Sequence, residues 1–149
     1  MVLAALLFVL DQISKIWVQR TLPMGASVPL VAPFFYLTYV ENPGAAFSVL
    51  SGHTWVSVLT TIGLCLLVLV KRNTIADRPQ CFRWGISLVL AGATGNLVDR
   101  VRQGRVIDFL DVGFWPVFNI ADSCIVVGVA LILWSMIRDP DTPHHVDSP

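Results

Sequence analysis

Four stretches of this chain are long and apolar enough to cross a bilayer, and that feature excludes most folds. About 20 residues of α-helix are needed to span ~30 Å of hydrocarbon, because each residue advances about 1.5 Å. The pattern predicts helices over about 2–21, 54–70, 82–98 and 117–137. The first holds Asp11 and Lys15 within its apolar run, the second has no charge, the third only Arg83 at its start, and the fourth only Asp122. Trp17, Trp55, Trp84, Trp115 and Trp134 each fall near a predicted span end, where indoles settle at the head groups.

Composition agrees. Apolar residues make up 55% of the chain and charged residues 13%, about half the share usual in a water-soluble domain. Ten basic and ten acidic residues cancel, so no global field points to nucleic acid. Cys65, Cys81 and Cys124 form no CxxC pair, which argues against a disulfide framework or zinc site and for small apolar packing. No basic segment precedes the first apolar run and no small-x-small site follows it, so the expectation is a retained span rather than a cleaved leader.

Lys71, Arg72, Arg78 and Arg83 mark the loop over 71–83 as cytoplasmic, whereas 21–53 contains no Lys or Arg. Both termini are therefore expected inside. Arg100, Arg102 and Arg105 run against this rule, with Asp108 and Asp111 beside them. The outside segment over about 27–50 is rich in Val, Phe, Tyr and Thr and breaks at Asn42-Pro43-Gly44, which predicts a small extracytoplasmic β-element. The stretch 105–114 is expected to form a short interfacial helix. The polar, Pro-rich tail over 139–149 is expected to be disordered, with His144 and His145 incidental to any metal.

The intramembrane charges need an explanation, since an Asp at the bilayer centre costs roughly 2.5–3.5 kcal/mol by insertion scales. Two antiparallel helices joined after Asp99 and before Asp122 bring those carboxylates to similar depth near one face. Gly92, Asn96 and Asp99 share a face of the third helix, and Asn119 and Asp122 share one of the fourth. Gly95 lets a neighbouring backbone approach. Paired carboxylates in a low-dielectric site do not both ionise readily, so one keeps a proton while its partner can take one from water. Hydrolysis, a proton pathway and a structural hydrogen bond all remain open on these residues alone. Asp11 and Lys15, four apart, are expected to pair as structural support. Arg100 is expected to reach lipid phosphates or Asp108.

Five segments in order then resemble the lipoprotein signal peptidases (signal peptidase II), bacterial membrane aspartyl proteases: "DQISK" from Asp11, "NPGAAF" from Asn42, "GATGNLVDR" from Gly92, "VIDF" from Val106 and "FNIAD" from Phe118. The resemblance spans nearly the whole chain. It implies a single peptidase domain over 1–138, in the bacterial cytoplasmic membrane, with Asp99 and Asp122 as the catalytic dyad near the outer side. Asn42, Gly44, Asn96, Arg100 and Asn119 would position substrate or dyad, with Asp11, Lys15, Gly95 and Asp108 in support. It further implies a diacylglyceryl-modified prolipoprotein substrate cut just before the lipidated cysteine, and neither cofactor nor metal. Membrane lipid and cyclic-peptide inhibitors of the globomycin type would be its other ligands. The third segment begins Ala91-Gly92 where the family often has Gly-Gly, an extra methyl at a close-packed position. Ten residues precede Asp11, so the expectation is either a first helix shortened at its cytoplasmic end or a start further upstream.

Overall fold

The computed structural model describes residues 2–43 and 54–138. Helix α1 (Val2–Thr21) leads into strands β1 (Ser27–Val31) and β2 (Phe35–Asn42). Helices α2 (Thr54–Val70), α3 (Arg72–Ala76) and α4 (Gln80–Gln103) follow, then strand β3 (Val106–Asp111) and helix α5 (Ile120–Arg138). Among the described residues α1, α4 and α5 are long and apolar enough to cross a membrane, whereas α2 has 17 residues. Gly85 and Gly128 face each other across the α4–α5 crossing, where a Cβ on either would come within 2.7 Å of the other's carbonyl oxygen. Small residues at that crossing let two backbones approach closely.

The helices are inside-out relative to a water-soluble bundle. Asp11 and Lys15 of α1 are 1% and 2% exposed, while Leu6 and Ile13 of the same helix are 63% and 60% exposed. That distribution suits hydrocarbon outside and a polar centre sequestered from it.

The β-element forms, with a different composition from the expected one. Its hairpin turn lies at Ala32–Phe34, between β1 and β2. The third strand comes from far along the chain. Residues 106–111 form β3, antiparallel to β2 with Asn42 opposite Val106 and Leu37 opposite Leu110. The expectation of an interfacial helix over 105–114 is therefore corrected: this stretch is mostly strand. Gly104, at φ 74°, ends α4 in the left-handed conformation that costs glycine least, and β-branched Val106 and Ile107 then meet the open edge of β2. Val18, Leu37, Tyr39, Ile107 and Phe109 bury together, so the sheet is fastened to the end of α1. The expected tail over 139–149 and the segment 44–53, which includes Gly44, lie outside the described residues.

Candidate active site

The site begins at the first turn of α5. Asn119 precedes the helix and Asp122 is its third residue, the spacing at which two side chains can satisfy each other's backbone. The Asp122 N–H donates to Asn119 Oδ1 at 2.8 Å, and the Asn119 N–H donates to Asp122 Oδ2 at 3.3 Å. This capping box holds the carboxylate at the start of the helix. A second carboxylate, from α1, serves the same helix end: Asp11 Oδ1 accepts the Ala121 N–H at 2.9 Å.

On α4, Asp99 is almost fully buried and surrounded by donors. Lys15 Nζ lies 2.8 Å from Asp99 Oδ2 and also 2.8 Å from Asp11 Oδ2. The Ile107 N–H donates to Asp99 Oδ2 at 3.4 Å, and Gln12 Nε2 donates to Asp99 Oδ1 at 3.2 Å. Asn96 joins the two aspartates. Its Oδ1 accepts from Lys15 at 3.0 Å, and its Nδ2 donates to Asp122 Oδ1 at 2.8 Å. A continuous polar chain thus runs from Asp99 through Lys15 and Asn96 to Asp122.

Behind this chain stands Asp108 on β3, which is 2% exposed. Asn42 Nδ2 donates to its Oδ2 at 2.8 Å, and Asn119 Nδ2 donates to its Oδ1 at 2.7 Å. Burial pushes the Asp108 carboxyl up to about 6, and the nearby charge of Asp122 acts in the same direction, against the amide donors. The folded protein therefore keeps this proton over a window, from about 3.8 to about 6, in which the unfolded chain has released it. Stability from this group falls as pH rises through that window, by on the order of 3 kcal/mol in all. Thermal unfolding in detergent between about pH 4 and about pH 7 checks this. Asp108→Asn should gain on the wild type as pH rises, and a constant gap between the two would show that Asp108 does not titrate this way.

Most of the expected site residues meet here. Asp99, Asp122, Asn96, Asn119, Asn42, Asp108, Asp11 and Lys15 form one hydrogen-bonded cluster. Asn119 and Asp122 pair at the start of α5, as their shared face predicts, whereas Asn96 of α4 bonds across to Asp122 of α5. Gly95 admits a side chain rather than a backbone: a Cβ there would stand 2.6 Å from Asp11 Oδ2. The close backbone approach is at Gly92, against the Ala121 carbonyl. Arg100 Nη1 donates to the Asn96 carbonyl at 3.3 Å, while Asp108 is taken by the two asparagines. Gln12 stands in the DQISK segment that carries the family resemblance but was given no role there; its amide bonds Asp99 and the Gly95 carbonyl.

Long apolar helices around a buried carboxylate cluster define a multi-pass membrane protein with a polar centre at one end of its bundle. The family model for signal peptidase (SPase) II matches residues 3–138, and the chain belongs to that family. A lipoprotein signal peptidase of Pelotomaculum thermopropionicum is 44% identical over 140 residues, covering 94% of this chain and 92% of the relative. That of Moorella thermoacetica is 44% identical over 138 residues, covering 92% and 91%. A solved structure described as a bacterial membrane enzyme superposes with a TM-score of 0.87 at 31% identity, over 99% of this chain and 93% of the other.

Proposed function

We propose that this chain is a membrane aspartyl endopeptidase that removes signal peptides from diacylglyceryl-modified prolipoproteins, cutting just before the lipidated cysteine. The observation that carries the aspartyl assignment is the bridge from Asp99 through Lys15 and Asn96 to Asp122, which ties two carboxylates from different helices into one site. One carboxylate takes a proton from water as the water oxygen adds to the scissile carbonyl. The other, protonated, donates a hydrogen bond to the carbonyl oxygen, and the leaving amine departs with a proton. Asn42, Asn96, Arg100 and Asn119 position substrate or dyad, together with Gly44.

In this reading α2, uncharged and 17 residues long, is the fourth span, and residues 1–138 form one peptidase domain. The basic residues over 71–83 support a cytoplasmic loop and cytoplasmic termini, with the dyad toward the outer side of the bacterial cytoplasmic membrane. A lipidated substrate reaches such a site laterally through the bilayer, while water reaches it from the interface. Globomycin-type cyclic peptides would compete for the same space. The test is to incubate purified protein with a diacylglyceryl-modified prolipoprotein and, in parallel, with its unlipidated form. Signal-peptide release from the lipidated protein alone is the expected result. No release from either would overturn the proposal.

A further inference from the structure

The two aspartates are not equivalent, and the difference lies in α1. Asp99 touches a cation that it shares with Asp11: Lys15 Nζ is 2.8 Å from Oδ2 of each, and the Ile107 N–H also points at Asp99 Oδ2. Its other oxygen accepts one amide hydrogen bond, from Gln12, and has capacity left for water. Among the described residues the side-chain oxygens of Asp122 meet neutral amides, the Asn96 side chain on one and the Asn119 N–H on the other. Asp122 is also the more exposed of the two.

We infer that Lys15, held between Asp11 and Asp99, selects Asp99 as the carboxylate that activates water and leaves Asp122 to carry the proton to the scissile carbonyl. This rests on the aspartyl peptidase reading above and adds the division of roles. An opposite charge in contact favours the ionised form of a carboxylate, and a like charge nearby disfavours a second ionisation. The competing influence is the α5 N-terminus, which favours negative charge on Asp122. It amounts to roughly half a unit charge spread over the first turn, and Asp11 already shares it through the Ala121 N–H. The groups facing Lys15 are Asp11 on its own helix and Asp99 and Asn96 on α4, with Asp122 and Asp108 one hydrogen-bonded residue further out.

The steps balance. A water proton passes to Asp99 as the water oxygen bonds the carbonyl carbon, and the Asp122 proton moves to the carbonyl oxygen. As the C–N bond breaks, Asp99 gives its proton to the leaving amine and the hydroxyl proton returns to Asp122. Both groups end as they began. Lys15 touches neither substrate nor water in this scheme, so it is a positioning residue.

Lys15→Met should reduce kcat at neutral pH by about 10-fold or more, with little change in KM, because Asp99 loses the cation 2.8 Å from its Oδ2. The acidic limb of its pH–kcat profile should move upward, so part of the loss returns at higher pH. Lys15→Arg should restore the wild-type limb. Because Lys15→Met leaves two carboxylates without their cation, the double variant Asp11→Asn, Lys15→Met serves if the single one does not fold. A measurement independent of turnover is the infrared carbonyl stretch of a protonated carboxyl group. Above about pH 7, where Asp108 has released its proton, it should shift in frequency in Asn96→Leu, which removes a donor from Asp122, and stay in place in Gln12→Leu, which removes one from Asp99. An unchanged acidic limb with lowered thermal stability would make Lys15 structural only, and a shift of the infrared band in Gln12→Leu but not in Asn96→Leu would reverse the roles. Both results leave the peptidase reading standing, which fails instead if the wild type releases no signal peptide from the lipidated substrate.

Discussion

Asp99→Asn and Asp122→Asn are each expected to lower cleavage of a diacylglyceryl-modified prolipoprotein by on the order of 10²–10⁴-fold or more, with both proteins still inserted in the membrane. An amide keeps the size of the carboxyl group but cannot exchange a proton with water or the leaving amine. The surroundings add a second difference. Lys15, Gln12 and the Ile107 N–H all donate to Asp99, so an amide there turns one donor toward another and leaves Lys15 paired with Asp11 alone. Asp99→Asn should therefore also melt at a lower temperature in detergent than the wild type. Near-normal turnover by either purified variant would remove the dyad from the mechanism. Loss of proton flux into vesicles, with peptide release intact, would instead identify a proton-coupled carrier.

The second large effect is expected at a glycine that carries no chemistry. A Cβ at Gly92 would run into the carbonyl oxygen of Ala121 and come within 2.8 Å of Ile125 Cγ1. A backbone carbonyl in the first turn of α5 cannot swing aside like a side-chain tip, so Gly92→Ala has to push α5 away from α4. Overpacking of this kind costs about 1–3 kcal/mol. The larger loss is in turnover, because α5 carries Asp122 and α4 carries Asp99, and a ~1 Å error between reacting groups can cost about 10²-fold. Gly63→Ala is the control, since nothing lies within 4 Å of a Cβ there. Thermal unfolding and kcat measured on both variants decide the matter. Wild-type turnover in Gly92→Ala would mean that the helices need not meet this closely for the dyad to work.

The membrane class, the approximate long helices and the meeting of Asp99 and Asp122 in one cluster were legible without coordinates. Hydrocarbon makes each of these features local: a span needs an uninterrupted apolar run, so a charge within one is conspicuous wherever its partner lies. The i, i+4 spacing of Asp11 and Lys15 likewise predicted a pair that forms at 2.8 Å. Tertiary structure alone decided that Lys15 also holds Asp99, that Asn96 bonds the aspartate of the opposite helix, and that Asp11 caps α5. Those contacts depend on how three helices rotate about their axes, and helical periodicity fixes only the faces within each. Residues 106–111 show the same limit in the sheet. Their apolar pattern suits an interfacial helix as well as a strand, and the choice fell to strand because β2, more than 60 positions earlier, offers an open edge of backbone donors and acceptors.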